Sequence, residues 1–153
     1  MDNASVLLAS PRFQDFAADD LTDLAAALQP RSIADGETLF EEGDPAPEAY
    51  VIASGHLALT RKNREGRPQR VVTLGPGEVL GLMALVESRG RSATATAEGD
   101  VQVLVLPRAA FTMLYESKAP ISLRFQRLIG RLLAEDVREV TNRVVAKMLE
   151  TPA

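Results

Sequence analysis

The chain has 153 residues, of which 46% are apolar and 25% charged, with a formal net charge of −4 at pH 7. This length and composition are typical of one globular domain with its own hydrophobic core. Zero cysteines exclude a disulfide framework, a thiolate nucleophile and a cysteine-ligated metal centre. The sequence contains neither a long apolar run nor a basic leader, so we expect a cytoplasmic protein without a membrane partner. The net negative charge argues against nucleic acid as a partner.

Two helices are predicted at the start of the chain, within about residues 10–29. Ser10 followed by Pro11 is typical of a helix N-cap and the first helical position. A second helix is expected from Asp19 or Asp20, because the leucines at 21, 24 and 28 recur at helical spacing. Pro30 is predicted to end that helix.

Between about residues 31 and 106 the pattern changes to short β-prone runs separated by turn residues. The runs cover residues 32–40, 49–53, 56–62, 69–74, 79–80, 93–97 and 101–106. Glycine-containing turns such as Ser54-Gly55, Gly75-Pro76-Gly77 and Glu98-Gly99-Asp100 lie between them. Seven or eight short strands of this kind predict a mainly β fold, a compact antiparallel roll or sandwich.

Helical periodicity returns over about residues 108–149, in a short helix and then a long one after Pro120. The long helix would span roughly 45 Å. It carries one continuous apolar stripe, formed by Phe125, Ile129, Leu133, Val137, Val140, Val144 and Met148. The stripe fits a helix that packs on its own domain. It equally fits a distal part, with Val137, Val140, Val144 and Met148, that pairs with the same helix of a second chain in a homodimer. The two arrangements are compatible, because different turns of the helix can make different contacts.

The most informative segment runs from Gly81 to Thr94. Gly81 has no Cβ and lets the backbone approach a ligand closely. The helix formers that follow would present unpaired backbone N–H groups, which favour an anion. Arg91 can return to the same place with a planar guanidinium suited to two phosphate oxygens. The segment therefore predicts an anion site suited to phosphate.

The other polar residues indicate structure rather than chemistry. His56, the single histidine, lies in a period-two run and is expected to face solvent. The carboxylate pairs Asp19-Asp20 and Glu41-Glu42 fall in cap or turn contexts. The basic run at residues 61–70 is predicted to be a solvated hairpin tip, or else a contact for an acidic partner. Without a catalytic triad, a metal-ligand cluster or a Walker-type motif, we expect neither an enzyme nor a metal site.

Four segments resemble a known family in order and spacing: Ile33 to Asp44, Ala49 to Gly55, Leu74 to Gly81, and the segment from Gly81. They are similar to the cyclic nucleotide-binding domain of catabolite-activator-like regulators, cyclic-nucleotide-gated channels and kinase regulatory subunits. The resemblance covers about residues 13–149. It implies a single domain over residues 1–153, a jelly-roll-like β-roll with N-terminal helices and a long C-terminal helix.

The resemblance also implies a set of ligand contacts. Gly81, Ala84, Leu85, Arg91, Ser92 and Ala93 match the family pattern, which implies phosphate binding by Arg91, Ser92 and backbone N–H groups near Met83 and Ala84. Leu82 stands where the family has a glutamate that accepts a hydrogen bond from the ribose 2′-hydroxyl. Leucine cannot accept one, and an unpaired buried hydroxyl costs about 1–3 kcal/mol. We therefore expect weak binding of cyclic AMP and cyclic GMP, which Leu82→Glu should improve.

Three functions follow as hypotheses. The first is a regulatory module that senses cyclic AMP, cyclic GMP, cyclic di-GMP or a related phosphate and signals through its C-terminal helix. The second is a degenerate domain that binds no ligand and acts as a dimerisation or interaction unit for another signalling protein. The third is a transcription factor. Relatives of that kind append a winged helix-turn-helix after the long helix, whereas only Thr151-Pro152-Ala153 follows here, so no DNA-binding domain is expected.

Overall fold

The computed structural model describes residues 2–87 and 90–150, without the side chains of residues 87, 136–144, 146, 147 and 150. Five α-helices are found in this part: α1 (Asn3–Ala9), α2 (Ala18–Ala27), α3 (Leu82–Glu87), α4 (Arg108–Glu116) and α5 (Pro120–Glu150). A 3₁₀ turn covers Pro11–Phe13. The strands are β1 (Gln29–Ile33), β2 (Thr38–Phe40), β3 (Glu48–Lys62), β4 (Pro68–Leu74), β5 (Val79–Leu80) and β6 (Thr94–Pro107).

The strands form one antiparallel sheet with the order β1-β6-β3-β4, in which β2 also pairs with β6 and β5 with β3. The centre of the sheet is the long pairing of β3 with β6, which runs from Glu48 opposite Pro107 to Thr60 opposite Thr94. The predicted mainly β roll with flanking helices is therefore confirmed.

Two predicted strand breaks are wrong. The sequence divides β3 at Ser54-Gly55 and β6 at Glu98-Gly99-Asp100, but both strands continue through these points with shifts in register. Gly55 has φ +82°, and a Cβ there would overlap the backbone of Asp100. Glycine thus marks irregularities within two long paired strands, with a close backbone approach at Gly55, instead of ending four short strands.

The N-terminal helices also differ from the prediction. A helix precedes Ser10: α1 is capped by Asp2, whose side chain accepts a hydrogen bond from the backbone N–H of Ser5 at 2.7 Å. Ser10 caps only the 3₁₀ turn. The N-cap of α2 is Ala17, and Asp20 supports it by accepting from the Ala17 N–H at 3.0 Å. Pro30 lies within the outermost strand, β1, where its missing N–H is tolerated.

Buried apolar residues form two clusters on opposite faces of the roll. One fills the interior of the roll and includes Ile52, Leu57 and Val103. The other lies between the roll and the helices and includes Leu7, Leu24, Leu82, Phe125 and Leu128. The helices therefore cover one face of the sheet, and α3 is part of this second cluster.

The long helix α5 changes environment along its length. Phe125 is 1% exposed and Ile129 6%, so the first turns pack on the domain. Leu133 is 42% exposed and Met148 70%. The side chains of Val137, Val140 and Val144 lie outside the part of the chain that the structure describes. Within that part, no helix combines the length and the apolar character that a membrane span requires.

Candidate functional site

An open cavity of about 560 Å³ lies between the roll, α3 and α5. Seven residues of the segment that the sequence singled out line it: Gly81, Leu82, Met83, Ala84, Arg91, Ser92 and Ala93. The fold thus brings together Gly81 and Arg91, which are ten residues apart in the chain. Apolar residues of β2, β3 and β4, among them Phe40, Leu59 and Leu74, complete the walls.

Arg91 is the most unusual side chain of the cavity, because it is charged and only 3% exposed. Its Nη2 donates to the backbone carbonyl of Glu48 at 2.6 Å, whereas neither Nε nor Nη1 has a hydrogen-bond partner among the described residues. Burial lowers the pKa of Arg91, but an arginine stays charged at neutral pH. A buried cation with two unused donor atoms is costly unless an anion completes it.

Aromatic rings hold this guanidinium in place. Its central carbon lies 4.3 Å from the centroid of the Phe40 ring and 5.3 Å from that of Tyr50, and the two rings stack on each other. Cation–π contact partly offsets the cost of burying the charge. The Tyr50 hydroxyl donates to the Glu48 carboxylate at 2.7 Å, and burial together with this bond raises the pKa of Tyr50 to about 12. The Arg91 side chain is therefore positioned before any ligand binds.

Glu48 connects this arrangement to the neighbouring strand. Its carboxylate accepts from Arg31 of β1 at 2.8 Å as well as from Tyr50. Burial opposes ionisation of Glu48, but these two hydrogen bonds outweigh it and lower its pKa. Because the charge of Glu48 is balanced by Arg31, the guanidinium of Arg91 keeps its own charge available for a ligand.

Gly81 makes room for Arg91. It has φ +82°, and a Cβ at this position would overlap Nη1 of Arg91 and lie 3.3 Å from the carbonyl oxygen of Glu48. The glycine therefore serves a left-handed backbone conformation and the close approach of the guanidinium at once. The sequence predicted close backbone approach to a ligand, and the structure adds a close approach to the arginine.

Leu82, Met83 and Ala84 form the apolar wall next to this position. Leu82 is 2% exposed, because it also packs into the cluster between the roll and the helices. Arg108 at the start of α4 donates to the carbonyl of Leu85, which lies in the same helix as this wall, and to the carbonyl of Ala46. Leu82 is thus a core residue as well as a cavity residue.

Charged residues cross the rim of the cavity between the roll and α5. Arg12 donates to the Glu78 carboxylate at 3.1 Å and to the Glu135 carboxylate of α5 at 2.6 Å. On the other side, Arg61 of β3 donates through Nε to the backbone carbonyl of Ser92 at 3.0 Å. The Arg12 contacts join the N-terminal segment, the turn before β5 and the long helix around one opening.

Sequence reasoning did not find several of these residues. Phe40 and Arg12 lie 51 and 79 residues before Arg91, in segments with no pattern that links them to it. Arg61 was assigned to a solvated basic hairpin, and it is indeed exposed, although it borders the cavity. His56 is exposed, as predicted. Among the described residues, no group of three or more metal-ligating side chains lies together.

Comparison with known proteins defines the class to which this fold and site belong. The family model of the cyclic nucleotide-binding domain matches residues 30–118, which include the strands of the roll from Pro30 onward, α3 and Arg91. The chain belongs to the cyclic nucleotide-binding domain family.

Individual relatives show how widely the domain is used. The chain is 30% identical over 149 residues to the Cyclic AMP receptor protein of Thermus thermophilus, covering 92% of this chain and 69% of that protein. It is also 30% identical over 125 residues to a cyclic nucleotide-gated potassium channel of Mesorhizobium japonicum, covering 82% of this chain but 33% of the channel. The crystal structure of the Thermus thermophilus Catabolite Activator Protein superposes with a TM-score of 0.81 at 29% identity, covering 91% of this chain and 63% of that one.

Proposed function

We propose that this protein is a regulatory module that binds a small phosphate ligand, a cyclic nucleotide or a related phosphate, in the cavity of its β-roll. The observation that carries the proposal is the buried guanidinium of Arg91, whose Nε and Nη1 have no hydrogen-bond partner among the residues that the structure describes. An anion supplies the missing hydrogen-bond acceptors and the missing counter-charge together. We assign the phosphate contacts to Arg91, Ser92 and the backbone around Gly81, Met83, Ala84 and Ala93. The proposal includes no catalytic residue.

The route for signalling is the long helix α5. Leu132 and Glu135 of α5 line the same cavity as Arg91, and Arg12 ties Glu135 to the roll. A ligand in the cavity therefore meets the helix directly, and its contacts can favour one position of α5 over another. We propose another signalling protein, or a further part of a longer chain, as the receiver of that change.

Arg91→Ala tests the ligand site. We expect the variant to lose about 1.5–3 kcal/mol of binding free energy, roughly ten- to more than hundredfold in affinity, because charge-assisted hydrogen bonds to the anion disappear. The measurement is isothermal titration calorimetry of native protein and variant with cyclic AMP, cyclic GMP and cyclic di-GMP.

Arg67→Ala is the matched control, since it removes the same charge from an exposed position on the β3–β4 hairpin. It should leave the affinity unchanged. If Arg91→Ala and Arg67→Ala bind equally well, the phosphate site is refuted. If native protein binds none of these three ligands, a cyclic nucleotide is refuted as the ligand, and the ligand-free interaction module becomes the better description unless another phosphate binds.

The distal part of α5 supports a homodimer as the second element of the proposal. Val145, Met148 and Leu149 are 48%, 70% and 82% exposed. Three large apolar side chains exposed near the end of one helix promote aggregation of a monomer. They therefore favour packing of this helix against a second one. The seam predicted from the sequence uses Val137, Val140, Val144 and Met148.

We expect the native protein to sediment as a dimer at micromolar concentration and the Val140→Asp, Val144→Asp double variant to sediment as a folded monomer. Charges placed in an apolar seam lose hydration without gaining a partner. Gln126→Asp, an exposed position on the proximal part of the same helix, is the control and should stay dimeric. A native protein that is already monomeric at this concentration would show that the stripe does not form an interface.

A further inference from the structure

We infer that the cavity selects an organic phosphate with an apolar or aromatic body and does not recognise hydroxyl groups beside the phosphate. The inference rests on the proposed function and specifies its ligand class. It follows from what surrounds the Arg91 guanidinium and from where the described side-chain acceptors of the cavity lie.

The immediate surroundings of the Arg91 guanidinium are apolar on two sides. One face lies over the Phe40 ring, at 4.3 Å from its centroid. The wall beyond Gly81 is built by Leu82, Met83 and Ala84, and Ala93 follows Ser92 near the other end of the segment. The part of a ligand next to its phosphate therefore contacts hydrocarbon, which favours carbon over hydroxyl groups.

The packing of Leu82 holds this apolar wall in place. It is 2% exposed and packs among the residues that join α3 to α2 and α5. If the Leu82 side chain turned away so that a backbone carbonyl could face the cavity instead, a buried leucine would leave this cluster. A ligand hydroxyl that meets this wall stays without an acceptor, and such a loss corresponds to roughly five- to hundredfold in affinity.

The described side-chain acceptors elsewhere in the cavity already bind donors of the protein, and they lie outside the wall formed by Leu82, Met83 and Ala84. The carboxylates among the described lining residues belong to Glu78 and Glu135, and Arg12 pairs with both. The Thr73 hydroxyl accepts a hydrogen bond from Arg70 at 2.7 Å. Ser92 directly follows Arg91, and we assign its hydroxyl as a donor to the phosphate. Polar recognition is therefore concentrated on the anionic head, while the body is held by apolar contact.

Two matched ligand pairs test the inference on the native chain by titration calorimetry. Phenyl phosphate and ribose 5-phosphate carry the same head on an aromatic and on a hydroxyl-rich body. We expect phenyl phosphate to bind at least tenfold more tightly. Cyclic AMP and 2′-deoxy cyclic AMP differ by one hydroxyl, and we expect the deoxy form to bind at least as tightly as cyclic AMP.

Repeating the titrations with Arg91→Ala separates this inference from the proposed function. Suppose that ribose 5-phosphate binds more tightly than phenyl phosphate, or cyclic AMP more tightly than its 2′-deoxy form, and that this binding is lost in Arg91→Ala. That result would overturn the ligand class and leave the phosphate site standing. The expected order of affinities, with values in Arg91→Ala equal to those of the native protein, would overturn the phosphate site and support an apolar cavity alone. If the native protein binds none of the four compounds at millimolar concentration, both are overturned.

Discussion

Leu82→Glu is expected to destabilise the protein by about 3–5 kcal/mol of unfolding free energy at neutral pH, because it removes a buried leucine and buries a carboxylate without a partner. Leu82 is 2% exposed within the cluster between the roll and the helices. Burial raises the pKa of the new carboxyl, so protonation favours the folded state. The loss should therefore be smaller at about pH 5 than at about pH 8. Urea denaturation at the two pH values measures both effects.

Leu82→Met is the control, since it nearly conserves volume and should cost less than about 1.5 kcal/mol. The family resemblance by itself leads to a different expectation, better binding of cyclic AMP by Leu82→Glu. A variant as stable as the native protein at both pH values, and with improved affinity for cyclic AMP, would show that the glutamate turns into the cavity. The packing of Leu82 argues against that outcome.

Gly81→Ala is expected to weaken ligand binding about as much as Arg91→Ala does, roughly ten- to more than hundredfold. The added Cβ would overlap Nη1 of Arg91, so the guanidinium has to leave the Glu48 carbonyl and the Phe40 ring. Titration calorimetry with the tightest-binding ligand of the native protein measures the loss.

Gly36→Ala provides a control matched in backbone conformation. Gly36 has φ +81°, against +82° at Gly81, but a Cβ at Gly36 would meet nothing within 4 Å. Both variants should lose about 1–2 kcal/mol of stability from left-handed backbone strain, whereas only Gly81→Ala should lose affinity. If Gly36→Ala loses affinity equally, the effect comes from global destabilisation and not from displacement of Arg91.

The degree to which the sequence predicted the fold depended on local patterns. The turn residues between the strands, the helical spacing of the C-terminal stripe and the change from period two to helical periodicity after Pro107 all act within a few residues, so they can be read from the chain. The wrong strand breaks at Gly55 and Gly99 have the same cause. A glycine that bends a long strand and a glycine that ends a short one have the same local signature, and only the pairing of β3 with β6 separates the two cases.

What the sequence by itself determined is a mainly β fold, a roll or sandwich with flanking helices, and the candidate segment from Gly81 to Thr94, because turn glycines, helix formers and the spacing to Arg91 are properties of a continuous stretch of chain. The tertiary structure alone decided what surrounds Arg91. Burial, the Phe40 ring at 4.3 Å and the Arg12 contacts to Glu78 and Glu135 join residues far apart in the chain. The same is true of Leu82. Its type shows only that its side chain offers no hydrogen-bond acceptor, whereas its packing against other helices shows what replacing it would cost. Contacts of this kind depend on how the whole chain is packed, and no short pattern encodes them.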